Sequence, residues 1–132
     1  YLVVDTKKRN FENKILNKLK EYNISLICLA GYMKIISKNF INSFKKKIIN
    51  IHPSLLPKYK GLNTFERIIK NKEKKTGCSV HFVNEKLDNG KLILQKNFFV
   101  DKKDSVKTLK IKTQLLEHKA FSEAIIKLYR YI

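Results

Sequence analysis

Residues 48–53 are Ile48-Ile49-Asn50-Ile51-His52-Pro53, a short apolar segment that ends at a proline. The segment is rich in β-branched isoleucine, which favours a strand. Proline has no backbone N–H and is excluded from central strands, so the chain must leave the sheet directly after His52. We therefore predict a buried strand whose carboxyl end lies at His52.

The residues before this strand predict a helix and a second strand. Between Asn10 and Tyr22 the apolar residues recur at helical spacing. The run Leu26-Ile27-Cys28-Leu29-Ala30 is continuously apolar and stops at Gly31, which is typical of a strand buried on both faces of a parallel sheet. We expect Cys28 to be a small buried hydrophobe within it. A helix followed by such a strand is half of a βαβ unit and indicates an α/β fold.

The rest of the chain continues the same pattern. Helices are predicted at residues 33–44, in short pieces, at 64–70 with Asn63 or Thr64 as its cap, and at 105–131, as one helix or two. Strands are predicted at 78–83 and 91–100, with a polar turn at 88–90 between them. Because no repeat, linker or boundary is visible, we predict one α/β domain over residues 1–132.

The strongest compositional signal is a net charge of +18 over 132 residues. It fits either a polyanionic partner or a general lysine bias, and the lysines are spread along the chain and not clustered in one stripe. Cys28 and Cys78 lie far apart and do not suggest a disulfide or a metal site. The sequence has no apolar run of membrane-spanning length and no secretory leader, so we expect a cytoplasmic protein without a membrane partner.

The chemistry-bearing residues lie where the predicted strands end. Asn50 and His52 share one face of their strand, and ligands of open α/β sheets bind beyond the carboxyl ends of the strands. This amide and imidazole suit oxyanion stabilisation and proton transfer, but a structural histidine in a loop fits equally well. Asp88 could orient His52, but from the residues alone an ordinary Asp-Asn-Gly turn is the better explanation. His81 is expected to be a packed histidine, and His118 is either functional or partly exposed.

Other site types are not indicated. The chain contains no Gly-x-Gly-x-x-Gly, no phosphate-binding P-loop, no Gly-x-Ser-x-Gly elbow and no His/Cys cluster at zinc spacing. These absences count against a complete nucleotide-binding domain, a serine hydrolase and a zinc enzyme.

Residues 50–61 closely resemble the signature of the folate-dependent formyltransferase family: Asn50-Ile51-His52-Pro53-Ser54-Leu55-Leu56-Pro57-Lys58-Tyr59-Lys60-Gly61. A second group of stretches, at residues 77–83, 87–90 and 93–95, is similar to the family too, as are residues 29–33 and 117–119. The resemblance covers nearly the whole chain.

The resemblance implies a Rossmann-like fold with a mainly parallel central sheet. It also implies that the N-terminal strands and a glycine-rich phosphate-binding loop are missing, because the chain opens at Tyr1 with a segment that is already strand-like. On this expectation the chain is the C-terminal two-thirds of a typical member.

Among family members the chain resembles most those that transfer the formyl group of 10-formyltetrahydrofolate to the amine of glycinamide ribonucleotide in purine synthesis. The resemblance implies that Asn50, His52 and Asp88 are catalytic and that no metal is required. His52 would be the general acid, Asn50 would stabilise the oxyanion, and Asp88 would favour protonated His52 and relay protons.

The same resemblance implies the binding residues. Glycinamide ribonucleotide would contact Gln114 and Glu117, whose carboxylate would hold the substrate's ammonium end. The folate would contact the catalytic Asn50 and Asp88 and a further set: Lys8, Met33, Lys34, Ile35, Ile36, Asn84, Glu85, Lys86 and Leu87.

Two relatives share part of this pattern, and a third alternative comes from a different class. Methionyl-tRNA formyltransferases fit the basic charge but carry a further tRNA-contacting domain. Formyltetrahydrofolate hydrolases use water as acceptor and usually have a second histidine where this chain has Pro53. A basic nucleic-acid-binding module would rest on charge alone, and we expect no specific nucleic-acid partner.

Overall fold

The computed structural model describes residues 3–32 and 34–130, in which helices and strands alternate along the chain. The elements are α1 (Phe11–Glu21), β1 (Leu26–Leu29), α2 (Lys38–Phe44), β2 (Lys47–His52), α3 (Thr64–Lys70), β3 (Lys75–Phe82), β4 (Leu92–Phe99) and α4 (Val106–Tyr129). The predicted α/β class is confirmed, and β2 ends at His52 as the proline requires.

Strand directions in the sheet depart from the prediction. The described strands lie in the order β1-β2-β3-β4, with β1 parallel to β2, and the β2–β3 and β3–β4 pairs antiparallel. The expected mainly parallel sheet therefore holds only for the first pair. Among the connections that the structure describes, the one through α2 alone crosses from one end of the sheet to the other, so that β1 and β2 run parallel. The connection through α3 leaves β2 and enters β3 at the same end of the sheet. A loop without a crossover helix joins β3 to β4.

Helices cover both faces of the sheet. On one face α4 packs on Ile49 and Ile51 of β2 and on Cys78 and Val80 of β3. On the other face α1 and α2 pack around Ile48. Since successive strand residues point to opposite faces, Asn50 and His52 lie on the α1/α2 side of the sheet. The side chains of Asn50 and His52 therefore point away from the core that α4 covers.

The interpretation of Cys28 as a buried residue is wrong. Its side chain is exposed, although its neighbours in β1 are partly buried. β1 forms an edge of the described sheet, and α4 lies over β3 and β4, so no helix in the described ranges covers Cys28. An apolar run shows that a strand is favoured, but not which of its faces is covered.

Local signals account for the helices. α3 has the predicted bounds, but Asn63, at its N-cap position, makes no side-chain cap because its backbone is left-handed, with φ 54°. α4 is one helix and begins with a capping box between Ser105 and Thr108. Of the helix predicted at residues 33–44, only α2 (Lys38–Phe44) is helical among the described residues. Met33 lies outside the described residues. Of the strand-like opening, Val3 and Val4 are not in a strand, and Tyr1 and Leu2 are outside the described ranges.

No helix in these ranges is both long and apolar enough to cross a bilayer.

Candidate active site

Pairing of β2 with β3 sets four polar side chains side by side. The antiparallel register places Asn50 opposite His81 and His52 opposite Ser79. All four point away from the α4 core, because Ile51 and Val80 between them point into it. One face of two central strands therefore carries two histidines, an amide and a hydroxyl.

His52 and Asp88 form the centre of this site. Nδ1 of His52 lies 3.3 Å from Oδ2 of Asp88. Nε2 of His52 donates a hydrogen bond to the carbonyl of Tyr59 at 2.8 Å. Both ring nitrogens thus face oxygen atoms that can accept a hydrogen bond. The two residues are only 6% and 8% exposed, so water screens their interaction little.

Asp88 is fixed by the loop that joins β3 to β4. The loop closes where Phe82 N–H donates to the Lys91 carbonyl at 2.9 Å. A Cβ on Gly90 would lie 1.6 Å from the Phe82 carbonyl oxygen, so only glycine fits there. Asp88 itself has φ 45°, and its Oδ2 accepts the Gly61 N–H at 2.9 Å. The predicted polar turn is thus the device that aims the carboxylate at His52.

His81 belongs to the site as well. Its Nδ1 donates to the Phe82 carbonyl at 2.8 Å, which leaves Nε2 to accept from the Asn50 amide at 3.3 Å. Burial lowers the pKa of His81, while the Phe82 carbonyl and Asp88 oppose that effect. The prediction of a packed histidine is correct, but its contact with Asn50 was missed, because only the β2–β3 register reveals it.

The loop after His52 is held by polar groups in the sheet. Ser79 Oγ donates to the Ser54 carbonyl at 2.6 Å and accepts from Leu56 N–H at 3.0 Å. Gln95 Nε2 donates to Ser79 Oγ at 2.8 Å and to the Leu56 carbonyl at 2.9 Å. These buried bonds satisfy loop backbone groups that water cannot reach. Sequence reasoning noted Ser79 and Gln95 only as parts of motifs and missed this supporting role.

Two segments predicted to contact the folate, residues 34–36 and 84–87, are linked through neighbouring residues. Ile36 is buried in the core cluster against which Val83 packs, and Lys38 Nζ lies 3.4 Å from Glu85 Oε1. The apolar side chains of Ile35 and Leu87 remain 63% and 48% exposed.

The predicted polar members of the folate set make local contacts. Lys34 Nζ donates to the Thr6 carbonyl at 2.9 Å, which brings it to the turn that holds Lys8, where the Lys8 N–H donates to the Asp5 carbonyl. Asn84 Oδ1 accepts the N–H of Lys86 at 2.9 Å.

Gln114 and Glu117 lie on α4, which packs on the opposite face of the sheet. Gln114 is exposed, and burial raises the pKa of the half-buried Glu117. Within the described residues neither side chain forms a hydrogen bond or ion pair with Asn50, His52 or Asp88. Their role in substrate binding stays a prediction. His118, next to Glu117, is exposed and lies outside the His52–Asp88 cluster.

Two further observations concern other candidate sites in the described residues. A cavity of about 180 Å³ lies between α1 and α2, lined by Leu16, Leu19, Lys20, Asn23, Ile24, Ser43, Phe44 and Lys46. None of these residues belongs to the His52–Asp88 cluster, and the burial and charge of that cluster make it the better candidate. In the described part of the chain, no group of three or more His, Cys, Asp or Glu side chains is arranged to hold a metal ion.

Comparisons with known proteins all find similarity to formyltransferases and purine biosynthetic proteins. A family model described as formyl transferase matches residues 5–125. The trifunctional purine biosynthetic protein adenosine-3 of Homo sapiens is 44% identical over 115 residues, which are 87% of this chain and 11% of that protein. The phosphoribosylglycinamide formyltransferase of Haemophilus influenzae is 41% identical over 120 residues, 86% of this chain and 57% of that protein.

Solved structures give the same result. The phosphoribosylglycinamide formyltransferase from Bacillus halodurans superposes with a TM-score of 0.84 at 36% identity, covering 89% of this chain and 61% of that one. The protein of that name from Campylobacter jejuni superposes at 0.82 and 36% identity, covering 91% and 62%. This chain therefore spans less than two thirds of the bacterial proteins that it matches here.

The hydroxyl of Ser79 gives the first test of the scaffold. Ser79→Ala removes partners from the Ser54 carbonyl, the Leu56 N–H and the Gln95 amide, and we expect a loss of about 2–3 kcal/mol in the free energy of unfolding. The measurement is a urea unfolding curve of each protein. Ser122→Ala is the control, because its exposed hydroxyl bonds only the His118 carbonyl of its own helix. Equal effects of the two substitutions would contradict the supporting role of Ser79.

Proposed function

The chain belongs to the formyl transferase family, as its motifs predicted, and we propose that it transfers the formyl group of 10-formyltetrahydrofolate to the amine of glycinamide ribonucleotide. The names of the Haemophilus and Bacillus relatives support this acceptor. The observation that carries the proposal is the buried His52–Asp88 pair beside Asn50, at the end of β2. A protonatable ring and an amide donor at one sheet edge suit acyl transfer.

The reaction needs one proton moved and one oxyanion stabilised. The acceptor amine attacks the formyl carbon, the bond from that carbon to the folate nitrogen breaks, and a proton passes from the attacking to the departing nitrogen. Asn50 gives one amide hydrogen to His81, which leaves the other for the oxyanion of the tetrahedral intermediate. Because the Tyr59 carbonyl holds Nε2 of His52, the proton for the departing nitrogen leaves from Nδ1. Asp88, beside Nδ1, relays that proton and stabilises the charged ring, and His52 regains a proton from the amine.

The surroundings suit a flat, partly apolar donor. Neighbouring residues link the segments 34–36 and 84–87, and Leu87 directly precedes Asp88. The exposed Ile35 and Leu87 offer apolar surface to a folate ring. Lys8 lies in the turn that contacts Lys34 and would meet an anionic part of the folate. The net charge of +18 would help to collect the anionic substrates.

We also propose that the chain forms a single domain and that the protein is cytoplasmic. One family model spans residues 5–125, which supports a single domain. Cys28 and Cys78 are free thiols, which suits the reducing cytosol.

The acceptor is the first thing to test. The complete natural protein should be assayed with 10-formyltetrahydrofolate and glycinamide ribonucleotide, initiator methionyl-tRNA or water alone. We expect transfer to glycinamide ribonucleotide, and His52→Ala should lower kcat by about 10²–10⁴-fold, because general acid catalysis is lost.

The matched control for that assay is His118→Ala, which removes an exposed histidine outside the cluster. It should leave kcat unchanged. Transfer only to tRNA or to water would move the protein to a sister activity of the family. Absence of folate turnover with every acceptor would sink the enzyme proposal in favour of a basic binding module.

Glu117 tests the acceptor site separately. Glu117→Gln should raise KM for glycinamide ribonucleotide by about 10-fold or more with little change in kcat, because a charge-assisted hydrogen bond to the ammonium is lost. Burial raises the pKa of Glu117, so the wild-type KM should rise as the pH falls through that pKa and the carboxylate takes up a proton.

Initial rates against pH would show that dependence. The control is Glu123→Gln on the same helix, which pairs with Lys96 at the surface and should not alter KM. If KM is unchanged in Glu117→Gln, the carboxylate does not hold the amine.

A further inference from the structure

We propose that Arg67, an exposed residue of α3, is a positioning residue that holds His52 and Asp88 in their reactive geometry through the main chain of residues 59–61. The inference rests on the proposed function for its kinetic consequence, but its structural part stands separately.

Residues 59–61 contact both members of the catalytic pair with backbone groups alone. The Tyr59 carbonyl accepts from Nε2 of His52 at 2.8 Å. The Gly61 N–H donates to Oδ2 of Asp88 at 2.9 Å. That oxygen is also the one 3.3 Å from Nδ1 of His52. We call residues 59–61 the clamp, because a shift of this short segment moves partners of both side chains at once.

The clamp needs support from other residues because Tyr59 has an unfavourable backbone conformation. Tyr59 has φ 56°, a left-handed conformation that is unfavourable for a bulky aromatic residue. Such a conformation persists only where surrounding contacts fix it. Gly61, with φ 79°, adds a second left-handed position within three residues. The carbonyl of Tyr59 is therefore aimed at His52 by contacts made elsewhere.

Arg67 supplies contacts on both sides of Gly61. Its Nη1 donates to the Lys60 carbonyl at 2.7 Å and to the Leu62 carbonyl at 3.3 Å. Its guanidinium carbon also lies 5.2 Å from the centre of the Tyr59 ring. All these contacts of one surface side chain end on the clamp or the residue after it. Arg67 lies on the outside of the protein and touches neither His52 nor Asp88.

A second anchor holds the far end of Tyr59. Its hydroxyl donates to Glu73 Oε1 at 2.8 Å and accepts from Asn71 Nδ2 at 2.9 Å. Lys58 Nζ lies 3.0 Å from the same carboxylate oxygen. The tyrosine is thus fixed at its hydroxyl and at its ring face, and only its carbonyl is turned toward the site.

The test compares Arg67→Gln with Lys70→Gln in the complete natural protein. Both substitutions remove one positive charge from the last turn of α3, but Lys70 is exposed and its side chain forms no hydrogen bond or ion pair within the described residues. We measure kcat, KM for both substrates, Tm, and the ¹H and ¹⁵N resonances of the His52 ring, assigned by their loss in His52→Ala.

Arg67→Gln should shift the His52 ring resonances and lower kcat by about 10–10²-fold with unchanged KM, because misplacement of reacting groups by about 1 Å is costly. Lys70→Gln should change neither. Arg67→Lys should recover part of kcat, since one donor can still reach a carbonyl but the planar contact with Tyr59 is lost.

The measurements distinguish failure of the proposed role of Arg67 from failure of the proposed function. Unchanged ring resonances, or unchanged kcat with shifted resonances, would overturn the positioning role of Arg67. A wild-type protein without formyl transfer would refute the proposed function, and the His52 resonances would still decide whether Arg67 holds the clamp.

Discussion

The site depends on the contact between two ionisable side chains that are almost removed from water. His52 and Asp88 are each less than a tenth exposed and lie 3.3 Å apart. Burial of such groups costs free energy that their mutual attraction offsets only if the remaining polar atoms also have partners. Here the Tyr59 carbonyl and the Gly61 N–H complete the set. The loop after β2 must therefore fold correctly before the pair is stable.

That loop is in turn supported by the sheet beneath it. Ser79 and Gln95, on β3 and β4, hold the main chain at Ser54 and Leu56, while Arg67 and Glu73 hold the clamp from outside. This arrangement explains in physical terms why stretches far apart in the sequence form one signature. The strands carry the polar groups that the loop's backbone requires, and the loop carries those that the catalytic pair requires.

Much of the fold could be predicted because it is encoded locally. Pro53 ends a strand by removing a donor, apolar spacing marks α1, and the bounds of α3 follow from its pattern. Strand direction could not be predicted, because the alternation of side chains is the same in parallel and antiparallel pairs. The exposure of Cys28 depends on which faces the helices cover, which no segment of sequence records.

The same division applies to the candidate site. Asn50 and His52 were predicted as a pair because they are two residues apart on one strand. Asp88 needed the family resemblance, because its turn is unremarkable as sequence and only the fold brings it to His52. His81 and Arg67 were missed as parts of the site. The first is revealed by strand register, and the second acts on backbone carbonyls that carry no mark in the sequence.

The central claim, that His52 and Asp88 act as one catalytic unit, is tested most directly by a double-mutant cycle in kcat for formyl transfer. Groups that act as a unit have strongly non-additive effects. We predict that Asp88→Asn lowers kcat in the wild-type protein but has little further effect in the His52→Ala background. Full additivity of the two losses would show that Asp88 acts independently of His52 and would contradict the account.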